Sequence, residues 1–120
     1  MKPEQLLATR ASNYLQVNHT AVIFRFDLAA DVPLPIAIAK RNKALQGKWS
    51  TGYPDMFIAK CAKGFGGLYI ELKATKTLHK SKHTDRQKVI HQILRNSGYM
   101  VEFAFGFDDF VRIVEDYLSN

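Results

Sequence analysis

Two alternating apolar stretches, "LYIELKA" (68–74) and "YMVEFAFG" (99–106), are separated by one helical pattern, "TDRQKVIHQILRNSG" (84–98). Strands joined through a helix run parallel when they share a sheet, and the crossover between them is right-handed. The chain has 120 residues, enough for one compact domain and too few for two ordinary ones. The expectation is a single α/β domain, residues 1–120, with a central mixed β-sheet flanked by helices.

The remaining segments fit around that unit. Residues 3–17 read as a helix, with Pro3 at its first position and Leu6, Leu7, Ala11, Tyr14 and Leu15 at helical spacing. "AVIFRFDLA" (21–29) reads as a strand in which Val22, Phe24 and Phe26 alternate with Ile23 and Arg25. "DMFIAKCA" (55–62) is a further strand, and "KGFGG" supplies a turn that pairs it with 68–74 as a hairpin. Between these strands runs a long excursion, broken by Pro33 and Pro35, in which "IAIAKRNKALQ" forms a short basic helix. In the crossover helix, Thr84 and Gln87 match a capping box, Val89, Ile90, Ile93 and Leu94 make an apolar stripe, and Gly98 fits the C-terminal cap. Asp108 or Asp109 is placed to cap a last helix that faces the core with Phe110, Val111, Ile113, Val114, Tyr117 and Leu118.

Composition narrows the function. An apolar fraction of 47% excludes a disordered chain. A formal charge of +6 favours polyanionic partners. Cys61 is alone, so no intrachain disulfide forms. No stretch has the apolar length of a signal peptide or a membrane span, so a soluble intracellular protein is expected, with no membrane partner.

The charges inside the third strand need an explanation. Alternation puts Leu68, Ile70 and Leu72 on one face and Tyr69, Glu71 and Lys73 on the other. In the hairpin, Asp55 begins the neighbouring strand behind Pro54 and lies beside Glu71. Two carboxylates and a lysine then converge. An exposed Glu71–Lys73 ion pair would contribute at most ~1 kcal/mol. Two carboxylates with a backbone carbonyl, that of Leu72, instead offer hard oxygen ligands suited to Mg²⁺ or Mn²⁺. His79 and His83 are spaced for zinc on a helix but lack a third ligand.

"GYPD" (52–55), then "IELK" (70–73), then a helix carrying Gln87, resemble the VRR-NUC (virus-type replication-repair nuclease) domain of the PD-(D/E)XK nuclease superfamily. The resemblance spans nearly the whole chain. It implies a restriction-endonuclease-like core and divalent-metal hydrolysis of phosphodiester bonds in DNA, with no small-molecule cofactor. By position it implies Asp55 and Glu71 as metal ligands, Lys73 as the catalytic lysine, Gln87 as the glutamine of the following helix, and Glu4 as the acidic residue of the first helix. Glu4 also suits the helix dipole, and Gln87 also suits the capping box. Standalone members are typically homodimers, some resembling Holliday-junction resolvases. A two-fold dimer would set two sites on a two-fold-symmetric substrate, and Trp49 and Tyr53 are candidate interface aromatics.

Basic residues flank this site on both sides in sequence: Lys40, Arg41, Lys43 and Lys48 before it, and Lys76, Lys80, Lys82, Arg86 and Lys88 after it. Phosphate contacts of this kind give affinity and salt dependence with little sequence reading. The leading expectation is a metal-dependent, structure-selective DNA endonuclease acting in repair, recombination or replication. The alternative is a catalytically inactive nucleic-acid-binding module with the same fold.

Overall fold

The computed structural model describes residues 2–27, 35–49, 51–74 and 82–120, the first three of the last segment through their backbone only. The elements are α1 (Pro3–Asn18), β1 (Phe24–Phe26), α2 (Ile36–Gln46), a 3₁₀ turn (Gly47–Trp49), β2 (Met56–Ile58), β3 (Leu68–Lys73), α3 (Lys82–Asn96), β4 (Met100–Phe105) and α4 (Phe107–Leu118). The sheet order is β1-β2-β3-β4. β1, β2 and β3 pair antiparallel, and β4 pairs parallel to β3 across the α3 crossover. This is the mixed sheet flanked by helices that the sequence implied. No helix among the described residues is long and apolar enough to cross a membrane.

β3 is central and buried on both faces, which is why it reads as apolar except at its charged end. On one face Leu68, Ile70 and Leu72 join Met56, Ile58 and Ala104 beneath α1 and α4. α1 contributes Leu7, Ala11 and Leu15, and α4 contributes Phe110, Ile113, Val114 and Tyr117. Val111, Leu118 and Tyr14 pack at the margin of this core rather than within it. Leu6, read as part of the α1 stripe, is exposed. α3 covers the other face, where Val101 and Ile90 are buried.

All four strands are shorter than their sequence patterns, β1 and β2 the most, at three residues each. β2 ends at Ile58 because the chain beyond it gains one residue: Ala59, Lys60 and Cys61 stand against Gly66 and Gly67 before pairing resumes at Ala62 and Phe65. That is a bulge, and the Lys60 carbonyl it frees accepts a 2.6 Å hydrogen bond from Tyr117 Oη. Lys63 and Gly64 close the hairpin with φ of 54° and 85°, the two positive values that a type I′ turn requires.

The helix ends differ in how legible they were. Gly98, with φ of 98°, ends α3 in a Schellman motif: Tyr99 N–H donates to Leu94 O and Gly98 N–H to Arg95 O. At the other end, the α3 backbone is already helical at Lys82, so Thr84 lies within the helix rather than before its first residue. The apolar stripe also differs. Val89 and Ile93 are exposed, and the seam facing the sheet is Gln87, Ile90, His91 and Leu94. Polar side chains occupy half of it, so hydrophobicity alone placed the face about one residue off.

Asp109 does not occupy the N-cap of α4; Gly106 does. Asp109 instead reaches back from the first turn, where its Oδ2 accepts the Phe105 N–H at 2.9 Å and its Oδ1 accepts Arg112 Nη2 at 2.7 Å. Burial works to raise this carboxyl, but the Phe105 and Arg112 bonds outweigh it and hold it below its ordinary 3.8. A carboxyl depressed by folding adds stability above its unfolded value and loses it as the pH falls through the folded value. Asp109→Asn is therefore expected to cost about 1 kcal/mol near neutral pH and less at a pH below its ordinary 3.8. Urea unfolding at the two pH values measures the difference.

Candidate active site

The register of β2 with β3 pairs Met56 with Ile70, and one step further it sets Asp55 across from Glu71. Asp55 is held at three points. Pro54 before it is fully buried. Its backbone carbonyl accepts the Asp27 N–H at 2.7 Å. Its carboxylate Oδ2 accepts the Leu72 N–H at 2.7 Å. Within a strand the N–H and C=O of one residue leave by the same edge, so the Leu72 carbonyl also faces the edge where Asp55 sits.

Glu71 lies on the α3 side of the sheet and is only 3% exposed. This rules out the reading of Glu71 and Lys73 as a solvated surface pair. Ionised carboxylates at that depth cost several kcal/mol unless opposite charge or hydrogen bonds offset them. Lys73, the last residue of β3, extends its Nζ to Gln87 Oε1 at 3.1 Å. Gln87 is itself 3% exposed, and this bond commits its side chain to the site rather than to a helix cap. An ammonium has three donors, so the Gln87 bond fixes its position while leaving donors for a water or a phosphate oxygen.

The glycine of "GYPD" has a clear physical role. Gly52 has φ of +85°, and a Cβ there would lie 2.9 Å from Arg86 Cγ and 2.9 Å from Ile90 Cδ1. The segment before Asp55 thus passes directly against α3. Arg86 Nη2 donates to the Lys48 carbonyl, and its guanidinium lies 5.3 Å from the Trp49 ring centroid. Tyr53 packs edge-on to Tyr69 at 5.5 Å and donates to its hydroxyl at 3.1 Å. Burial, then that bond, hold the Tyr53 phenol above its usual range.

The other expected site residues are placed as follows. Glu4 is exposed in the first turn of α1, a helix that packs on the opposite face of the sheet from Glu71. Lys40, Arg41, Lys43 and Lys48 are exposed on α2 and the turn after it, none of whose residues is buried. Lys88 is exposed on α3, and Arg86 is half-buried through its contacts with Lys48 and Trp49. Lys76, Lys80, His79 and the side chains of Lys82 and His83 lie outside the described residues.

One residue was missed in the sequence. His91 follows Gln87 by one helical turn, is fully buried, and brings Nε2 to 3.8 Å from Glu71 Oε1. Burial pushes its imidazole down to about 4, with the charges of Arg95 and Lys73 adding to the push and Asp55 opposing it. It is therefore neutral at pH 7. The signal was its i, i+4 relation to Gln87, which the apolar stripe drawn through Val89 and Ile93 obscured.

The donor set can be tested against a metal. Among the described residues there is no group of three or more His, Cys, Asp and Glu side chains able to hold an ion, which does not suit a closed zinc site. Two carboxylates beside a carbonyl suit a hard ion that keeps several of its waters, Mg²⁺ or Mn²⁺.

By structure, the chain is similar to a solved "VRR_NUC domain protein", with a TM-score of 0.69 and 23% identity over 98% of this chain and 89% of that one. It is also similar to a solved "VRR_NUC domain", with a TM-score of 0.63 and 14% identity over 98% of this chain and 99% of that one. By sequence, the chain matches no family model and no curated protein. The fold is that of a VRR_NUC domain, as the short motifs had implied.

Proposed function

We propose that this protein is a divalent-metal-dependent DNA endonuclease. The observation that carries the reading is the meeting of Asp55, Glu71 and Lys73: Asp55 bonded to the Leu72 N–H, Glu71 buried across from it, and Lys73 anchored by Gln87. The carboxylates of Asp55 and Glu71 and the Leu72 carbonyl would hold Mg²⁺ or Mn²⁺. Such an ion supplies charge stabilisation for a scissile phosphate and a lowered pKa for bound water. Lys73 orients the attacking water and balances charge on the transition state, and Gln87 keeps the ammonium in place. Glu4, by the motif resemblance, adds a further carboxylate from α1.

In this reading DNA lies along Lys40, Arg41, Lys43 and Lys48 of α2 and its following turn, along Arg86 and Lys88 of α3, and along the basic residues that follow β3 in the sequence, Lys76, Lys80 and Lys82. No recognition-helix signature accompanies them, which favours selection by DNA shape, as in a junction resolvase acting in repair, recombination or replication. A homodimer would present two such sites to a two-fold-symmetric substrate.

The test is a cleavage panel of duplex, single-stranded, flap and four-way-junction DNA with Mn²⁺, Mg²⁺ or EDTA. Cleavage is expected with either metal and none with EDTA. Asp55→Asn keeps an oxygen to accept the Leu72 N–H but loses the charge, and is expected to cleave at least about a hundredfold more slowly. Salt-dependent binding of DNA with no cleavage in any metal would identify the inactive binding module instead.

A further inference from the structure

His91 has 0% exposure, and among the described residues neither Nδ1 nor Nε2 has a hydrogen-bond partner. Leaving buried polar atoms unpaired costs on the order of 1–3 kcal/mol, and native structures contain few of them. A leucine would fill the same space without that cost. The ring is fixed in place by Phe103, whose centroid lies 4.8 Å away, and Nε2 is aimed at Glu71 Oε1 across 3.8 Å. That separation is too long for a hydrogen bond, but a shift of under about 1 Å closes it to one.

We propose that His91 is a positioning residue for Glu71: its Nε2–H closes onto Oε1 when the carboxylate takes a divalent cation, and so fixes the orientation of the carboxylate. The inference rests on the metal-dependent reading of the site. A neutral imidazole has one N–H to give. A carboxylate held in this way loses less freedom on binding an ion, and outer hydrogen bonds of this kind change metal affinity by roughly 10–100-fold.

The experiment measures Mn²⁺ affinity without DNA, by electron paramagnetic resonance of free Mn²⁺, together with urea unfolding in EDTA. His91→Leu is expected to be as stable as the wild type or more so, and to bind Mn²⁺ about tenfold more weakly. His91→Gln, whose amide N–H can take the place of Nε2–H, is expected to stay within about threefold of the wild type. If His91→Leu fails to fold, His91→Met supplies an apolar replacement with a more adaptable side chain, judged by the same criteria. Wild-type Mn²⁺ affinity in the apolar variant overturns the role of His91 and leaves the proposed function intact, as does a glutamine variant as weak as the apolar one. A wild-type protein that binds no Mn²⁺ overturns both.

Discussion

Lys73→Ala is expected to reduce the proposed Mn²⁺-supported DNA cleavage by about a thousandfold, because in that reading both the water-orienting group and a charge on the transition state are lost. Binding should change little, by at most about threefold, because in the same reading only one of many phosphate-contacting cations is removed. The local cost is the Gln87 Oε1 left without its 3.1 Å donor in a site where Gln87 is 3% exposed, worth about 1–3 kcal/mol of stability. Folding must therefore be checked by urea unfolding beside the kinetics. Lys73→Arg keeps the charge, but a planar guanidinium cannot take the compact position of the ammonium against Gln87, so it should recover little activity. Single-turnover cleavage of end-labelled DNA, with binding measured in Ca²⁺, separates these effects. Cleavage by a folded Lys73→Ala at the wild-type rate would remove the lysine from the chemistry.

Gly52→Ala has the largest expected effect on stability among single-methyl additions near the site, about 2–4 kcal/mol. Two penalties combine. The backbone is held at φ of +85°, and the new Cβ would meet Arg86 Cγ and Ile90 Cδ1 at 2.9 Å and the Arg86 backbone carbon at 3.2 Å. A side chain could swing aside, but the α3 backbone cannot without disturbing Gln87 and His91. Gly98→Ala is the control, with a similar φ of +98° but nothing within 4 Å of the added Cβ; it should cost only about 1 kcal/mol. Urea unfolding of both variants isolates the cost of the close approach. Equal losses would mean that α3 yields easily at Gly52 and does not clamp the segment leading to Asp55.

Much of the architecture could be read from local pattern. The α2 boundaries, the β2–β3 hairpin and the Gly98 cap follow from residues whose preferences are backbone-local: prolines, glycines and alternating apolar side chains. That Asp55 stands near the Glu71 end of β3 followed from pairing the two strands as a hairpin; the exact register did not, because the extra residue at 59–61 shifts the pairing by one from that of the 62–65 turn. What was misread lies in α3. Its apolar stripe predicted Val89 and Ile93 inward, but both face out. Gln87 faces in, where Lys73 bonds it, and that partner comes from a strand distant in sequence; His91, one turn on, is buried against Phe103. The glycine of "GYPD" was noticed only as part of a motif. That it must be glycine depends on Arg86 and Ile90 passing over it.

The amino-acid order alone pointed to the strand alternation and the parallel crossover, because both follow from local pattern and chain connectivity. Only the tertiary structure decided which α3 side chains enter the site, that Glu71 is buried rather than solvated, and that His91 stands beside it. Burial and cross-sheet contact depend on what packs above each residue, and helix rotation against a sheet is settled by long-range partners rather than by the helix's own hydrophobic pattern.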